Sequence, residues 1–379
     1  MLMNTYNRYG VTFVKGEGSH LFDDCGKSYL DFASGIGVNS IGYANPKWVK
    51  AVSDQAGLLA HTSNLYHTLP AKKLAIKLAA LSGLECVFFS NSGAEANEGM
   101  IKLARKYSKD AHGEGRSAIL TLNNSFHGRT VTTLAATGQN AFHKNFDPFT
   151  PGFLHADAGD LDAVKNAEGI CAVLIEIVQG EGGVVPLPAE YVREVAKICA
   201  ERDLLLLIDE VQTGIGRTGS WFAFQEYGIS PDVVSFAKGI AGGLPLGGFI
   251  ANKKCSEVLK PGDHAATFGG NPISCAAALA TLEIIEEALP GVKKKGATLL
   301  EGLGKINGLS GARGAGLMLG ASVCQATHQS VRALVDKLLA SGLVCLTAGN
   351  ETLRLMPPLT ITEDEINEGL NIMERCCAN

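Results

Sequence analysis

No C-x-x-C pair occurs among the ten cysteines of this chain, which are Cys25, Cys86, Cys171, Cys199, Cys255, Cys275, Cys324, Cys345, Cys376 and Cys377. That absence argues against a zinc framework and a disulfide scaffold, and the expected setting is reduced and cytoplasmic. Cys86, Cys171 and Cys275 lie in apolar segments, where cysteine behaves as a small hydrophobe. His61, His67, His127, His143 and His155 show no ligand spacing to cysteines or acids, so no metal is expected. No long basic run is present and the net charge is −5, which leaves nucleic acid without an electrostatic footprint. No apolar run is long enough to span a bilayer, so no membrane is expected as a partner. Residues Met1 to Tyr6 lack the charged and apolar regions of a signal peptide. Internal repeats and low-complexity linkers are also missing.

What is present is a chain of 379 residues, 46% hydrophobic and 19% charged, the balance of a globular protein. Its length suits two or three domains at a prior of ~150 residues each. Forty-five glycines suit an α/β chain with many tight strand-to-helix turns. Gly16 to Ser19 and Asp23 to Lys27 resemble hairpin turns. Helical periodicity begins near residue 45, with Leu74, Leu78 and Leu81 on one face. Strands are expected at Cys86–Phe89, Ala118–Thr121, Ala172–Ile175, Leu204–Ile208, Val233–Phe236 and Gly248–Ala251, with helices between them, for instance Tyr191–Glu201. Ser92 is a good helix N-cap, and Glu95 would complete a capping box. The helix that follows would bury Ala96, Met100, Leu103, Ala104 and Tyr107. Alternating strands and helices predict an α/β fold, a mostly parallel central sheet covered by helices. Beyond residue 272 the pattern changes to helices at Ile273–Ala288 and Val292–Leu303, then short strands near Leu317–Leu319 and Leu353–Leu355. The expected division is residues 1–50 as one segment of a small domain, 51–272 as the large α/β domain, and 273–379 as the C-terminal α+β part of the small domain.

The strand Leu204 to Ile208 ends on Asp209, and the strand Val233 to Ala237 ends on Lys238. Charged groups are seldom buried unless paired, so two neighbouring strands ending this way suggest one site holding both. Ligands on parallel sheets bind beyond the carboxyl ends of the strands. A lysine in a dry cleft loses part of its preference for the charged form and can act as an amine nucleophile toward a carbonyl. The cofactor that requires a lysine Schiff base and a carboxylate facing a ring nitrogen is pyridoxal 5'-phosphate.

Other motifs are ambiguous in isolation. Ser90-Asn91-Ser92-Gly93-Ala94-Glu95 is an ordinary strand-to-helix turn by itself, but beside Asp209 and Lys238 it becomes a cradle for a phosphate. Asn124 to Arg129 reads as a surface loop, or as an aromatic for stacking followed by an arginine for a substrate carboxylate. Gly214-Ile215-Gly216-Arg217-Thr218-Gly219 matches G-x-G-x-x-G letter for letter. Ser220 to Phe224 is a poor helix opening and no acid follows at the spacing a dinucleotide site needs, so a glycine-rich loop is expected. Asp157 to Asp162 reads as a solvated turn.

Taken in order, Ser90 to Glu98, Ser125 to Thr130, Gln179 to Gly183, Leu207 to Gly214, Ala237 to Gly239, Thr267 to Pro272 and Leu353 to Leu355 resemble the class III pyridoxal-phosphate aminotransferases over nearly the full chain. The resemblance implies a fold type I homodimer with active sites at the subunit interface. Lys238 would bind the cofactor covalently and Asp209 would face its pyridine nitrogen. Ser92, Gly93 and Ala94 would hold the phosphate, with Thr267 reaching it from the partner subunit. Gln212 would bond the phenolic oxygen, Phe126 would stack on the ring, and His127 would complete the cofactor site. Arg129 would hold a substrate carboxylate and Arg354 the α-carboxylate of glutamate. Glu181 would pair with Arg354 when an ω-amine is the donor and release it for glutamate.

The implied reaction is a ping-pong transfer of the ω-amino group of N2-acetyl-L-ornithine to 2-oxoglutarate, with N-succinylornithine or N-succinyl-diaminopimelate as alternative donors. Lys238 would shuttle the proton as general base and acid. Two departures from the family pattern stand out. Glu176-Ile177-Val178-Gln179-Gly180-Glu181 lacks the family's usual proline, and Ala266 stands where members acting on N-acetylornithine usually carry a substrate-contacting serine. A mutase of the same fold would need no 2-oxoglutarate, and the two arginines argue against it. A non-catalytic relative would commonly lack the lysine or the aspartate, and both are here.

Overall fold

The computed structural model describes residues 1–324 and 330–378; the remaining positions of the expected segment 273–379 lie outside the described residues. Its centre is a seven-stranded sheet in the spatial order Cys86–Ser90, Gly247–Ala251, Val233–Phe236, Leu205–Asp209, Ile170–Glu176, Ala118–Leu122, Phe153–Ala156. Gly247–Ala251 runs antiparallel to both neighbours and the other contacts are parallel. The middle strands are buried along their whole length, as their unbroken apolar runs require of a sheet covered on both faces. One layer over the sheet is the helix Gly93–His112, which buries Ala96, Met100, Leu103 and Ala104 and half-buries Tyr107.

The first strand is an edge strand, and this corrects one expectation. Cys86 is exposed rather than packed as a small hydrophobe, because only one side of its strand is paired and its end is open. Cys171 and Cys275, on a central strand and a core helix, are buried. The capping box at Ser92 is half formed. Ser92 Oγ accepts from Glu95 N–H at 3.2 Å, but the Glu95 carboxylate accepts from Asn91 N–H at 2.6 Å instead of from Ser92.

The two helices expected at 273–288 and 292–303 are one helix, Pro272–Lys305, which runs through Pro290. A proline inside a helix removes one hydrogen bond and crowds the preceding turn. Here burial of Ile284, Ile285, Val292, Leu299 and Leu303 along one continuous stripe outweighs that cost. Asn271 caps the start, its side chain accepting from Ser274 N–H at 2.9 Å.

Chain ends meet in a second sheet, where Phe13–Glu17, His20–Asp23 and Ser28–Asp31 form an antiparallel ribbon that Leu343–Val344 extends in parallel. A third sheet orders Leu309–Ala315, Met318–Val323, Thr352–Leu355 and Leu346–Ala348. The run Gly214–Gly219 is a turn, not a helix opening. Its Arg217 is 1% exposed and donates to the carbonyls of Leu317 (3.0 Å) and Pro357 (2.5 Å) and to Ser40 Oγ (3.3 Å). Burial lowers its pKa to about 9. The glycines therefore let a buried arginine tie the chain's late segments to the centre. Asp160, in the expected solvated turn, caps the short helix Leu161–Asn166 through Ala163 N–H.

Candidate active site

Asp209 and Lys238 meet at the carboxyl ends of adjacent parallel strands. Asp209 lies opposite Ser235 in the register, and Lys238 follows three residues later. The backbone at Lys238 is left-handed, with φ 46°, a conformation that costs a non-glycine residue about 1–3 kcal/mol and is retained where the surroundings over-determine it. The next residue, Gly239, is closely approached: a Cβ there would stand 2.4 Å from Ser40 Oγ and would require that hydroxyl to turn away. Lys238 lines a cavity of about 390 Å³. Burial depresses its pKa, against the opposing pull of Glu181 and with the added push of Arg354. The amine is thus biased toward the neutral form that a nucleophile or general base needs.

Asp209 is held by four donors. Asn97 Nδ2 (2.7 Å) and His127 Nδ1 (2.8 Å) reach one oxygen, and Val211 N–H (3.0 Å) and Ser235 Oγ (3.3 Å) reach the other. Asn97 also donates to the His127 carbonyl at 2.7 Å, so helix, loop and strand are fastened at one carboxylate. His127 Nε2 is buried without a hydrogen-bond partner among the described residues.

The cavity's second wall is the start of the helix Gly93–His112, with Ser92 as its N-cap. The N–H groups of Gly93 and Ala94 belong to the first turn, where no helical acceptor exists, and the helix dipole favours an anion there.

Phe126, Arg129, Glu181 and Gln212 also line the cavity. Arg129 is exposed, and its guanidinium carbon lies 3.9 Å from the Phe142 ring centroid and 5.6 Å from that of Phe126. Among the described residues it has no ion pair, so its donors remain available. Arg354 is 2% exposed and is already neutralised, its Nη1 donating to Glu181 Oε1 at 2.5 Å and to Gln212 Oε1 at 3.4 Å. Glu176 fastens two loops at once, accepting from Phe126 N–H (2.9 Å) and Gly180 N–H (3.3 Å). Burial pushes its pKa up to about 7.

Ala266 and Thr267 are not brought to this cavity. They sit on a loop beside exposed Phe268, with the Ala266 carbonyl accepting from Asn64 Nδ2 at 3.0 Å. Sequence reasoning assigned no role to Asn97, Glu176 or Phe142. A polar residue on the buried stripe of a helix, as Asn97 is, was the available signal for the first. Nothing local marks Phe142, which comes from a separate short helix, Asn140–His143.

These residues fit pyridoxal phosphate on their own chemistry. A helix start suits the phosphate, a carboxylate with four donors suits the ring nitrogen, and a desolvated amine suits the aldehyde carbon.

The family model for aminotransferase class-III matches residues 3–377. A curated relative, the acetylornithine aminotransferase of Haemophilus ducreyi, is 48% identical over 376 residues, covering 98% of this chain and 95% of that one. Among solved structures, the N-acetylornithine aminotransferase of Stenotrophomonas maltophilia superposes with a TM-score of 0.86 at 34% identity, over 98% of this chain and 97% of that one. An ornithine aminotransferase of Toxoplasma gondii, described with partial occupancy of pyridoxal phosphate at its active site, gives 0.94 at 30% identity, over 99% and 91%. The higher structural score goes with the lower identity, so backbone likeness alone does not choose the amine.

Proposed function

The chain belongs to the class-III aminotransferases, and on that footing we propose that it transfers the ω-amino group of N2-acetyl-L-ornithine to 2-oxoglutarate, giving N-acetyl-L-glutamate 5-semialdehyde and L-glutamate. Its fold is the fold type I α/β architecture and its cofactor is pyridoxal 5'-phosphate. The observation that carries the reading is the different state of two arginines, Arg129 on the cavity wall and Arg354 behind the lining residues Glu181 and Gln212. Arg354 is closed by Glu181, while Arg129 carries no counter-ion among the described residues.

The cofactor, when bound, supplies an aldehyde that takes the amino group and a ring that draws electrons from the neighbouring carbon. Asp209, fixed by four donors, would face the ring nitrogen, and the N–H groups of Gly93 and Ala94 would hold the phosphate beside Ser92. Phe126 would cover one ring face and Gln212 would bond the phenolic oxygen, while His127 backs Asp209. Lys238 Nζ, biased toward its neutral form, would act as general base toward the proton on the amine-bearing substrate carbon and as general acid in delivering it to the carbon across the nitrogen. Arg129 orients the carboxylate remote from the reacting amine. Glu181 keeps Arg354 occupied while N-acetylornithine reacts, then yields it to the α-carboxylate of glutamate or 2-oxoglutarate. One cavity thus serves two substrates of different shape. The reaction belongs to arginine biosynthesis.

A homodimer completes the site in this reading. Leu65, Tyr66 and Phe268 are exposed, His61 lies 5.5 Å from Phe268, and Asn64 bonds the Ala266 carbonyl, so exposed apolar side chains flank the loop of Ala266 and Thr267. That face supports a second copy lying there, with Thr267 reaching the partner's phosphate and Ala266 its substrate. No disulfide joins cysteines among the described residues, in keeping with the reducing, cytoplasmic setting of this reading. Among the described residues no helix is long and apolar enough to cross a membrane.

The test is a comparison of catalytic efficiency with 2-oxoglutarate fixed and N-acetylornithine, N-succinylornithine or N-succinyl-diaminopimelate as donor. N-acetylornithine should lead. Lys238→Ala should lose turnover and the visible absorbance of the bound cofactor, and full activity in that variant would sink the reading.

A further inference from the structure

The loop that carries Glu181 is held at a second point two residues on. Arg313 Nε donates to the Gly183 carbonyl at 2.9 Å, and its Nη2 donates to Thr352 Oγ1 at 2.8 Å. Its Nη1 donates to the Gly311 carbonyl (2.9 Å) and to Ser322 Oγ (3.0 Å). Gly183 lies two residues after Glu181, and Thr352 lies two residues before Arg354. One guanidinium therefore bridges the two arms whose ends form the Glu181–Arg354 pair.

The sheet register explains the arrangement. Arg313 lies opposite Gly320, and Gly320 lies opposite Arg354, so two arginines share one row with a glycine between them. The loop lies down over that glycine. A Cβ on Gly320 would stand 3.0 Å from Val184 Cβ and 2.9 Å from Thr352 Cγ2. Arg354 then grips the loop at Glu181 and Arg313 grips it at Gly183. Among the described residues Arg313 has no carboxylate partner, and all four of these bonds go to neutral oxygens. A half-buried cation used this way contributes position, not charge neutralisation, and a planar fork of fixed donors suits that use better than an ammonium.

We propose that Arg313 is a positioning residue for substrate choice: by clamping Gly183 to Thr352 it sets the approach of Glu181 to Arg354. The inference rests on the two-substrate reading above. Without the clamp Glu181 leaves Arg354 more readily, and Arg354 stays open to the α-carboxylate of glutamate. N-acetylornithine is then disfavoured relative to glutamate.

The experiment uses the holoenzyme and follows cofactor absorbance in single turnovers, first with N-acetylornithine and then with L-glutamate. The readout is the ratio of the two efficiencies. Arg313→Gln should lower that ratio about 5-fold or more, in the same direction as Glu181→Gln, and should add little in the Glu181→Gln background, as expected of coupled sites. Arg313→Lys should restore part of it. Thr352→Val removes one arm of the clamp with little change of shape, and should shift the ratio the same way if Arg313→Gln does not fold. An Arg313→Gln or Thr352→Val enzyme that loses both efficiencies equally, or a shift that simply adds to that of Glu181→Gln, overturns the proposal. If Glu181→Gln itself leaves the ratio unchanged, the two-substrate reading fails first.

Discussion

Arg129 rests against Phe142, with the guanidinium carbon 3.9 Å from the ring centroid. The ring is itself anchored. Its short helix is tied down by His143 Nε2 at the Leu134 carbonyl (3.0 Å), and the preceding Gln139 donates to the Ser125 carbonyl (3.1 Å). A cation over an aromatic face gains about 0.5–2 kcal/mol, depending on how dry the contact is. Phe142→Leu should therefore raise KM for N-acetylornithine by about 3- to 30-fold with kcat nearly unchanged. Phe142→Trp should stay close to wild type. Steady-state kinetics decide the matter, and a fall confined to kcat would count against the stacking role.

Glu176 makes stability depend on pH. Its pKa is raised from 4.5 to about 7, first by burial and then by the Asp209 charge, against the pull of His127 and the two N–H donors. The folded chain therefore holds a proton that the unfolded chain has released. Stability contributed by this group is full below about 4.5 and is lost as pH rises to about 7. Glu176→Gln removes the titration. Melting curves of both proteins from pH 5 to 7.5 should show the difference moving in the variant's favour, and a constant difference would exclude the effect.

Lys238 works in the opposite sense in cofactor-free protein. Burial lowers its pKa below 10.5, so the folded chain gives up its proton before the unfolded chain does. Stability from this group is thus lowest below its depressed folded-state pKa and rises as pH climbs toward 10.5. Lys238→Met should melt above cofactor-free wild type at pH 7, and the gap should narrow by pH 9.5. No gap at pH 7 would mean that water reaches the amine.

Arg217 belongs to a run that spells a dinucleotide motif, yet it is a buried tie between three segments. Arg217→Met leaves two carbonyls and a hydroxyl without their donor and should cost at least about 3 kcal/mol of stability. Urea unfolding measures this. Adding NAD to the wild type should leave its melting temperature unmoved, whereas a rise would restore the dinucleotide reading.

Much of the site was legible because its residues sit at strand ends and helix starts, where local pattern and chemistry coincide. Asp209, Lys238 and Gly93 are of this kind. The single long helix through Pro290 was not legible, since a proline reads as a break and only the continuous buried stripe overrides it. Cys86 was misread because nothing in four apolar letters tells an edge strand from a central one. Phe142 and Arg313 were invisible as site residues, for their partners lie on other elements.

The amino-acid sequence by itself determined the alternation of strand and helix, the carboxylate and the amine at two strand ends, and the family. The first two follow from period, burial and residue type, which are properties of short stretches, and the family from the resemblance of its ordered motifs. The resemblance implied a pair of Glu181 with Arg354, and only the tertiary structure decided that the pair is closed and what lies against Arg129. Glu181 closes Arg354 across 173 positions, and Arg129 is left with an aromatic face. Pairing of charges is a matter of distance in space, and that distance is set when the loops are laid over the sheets.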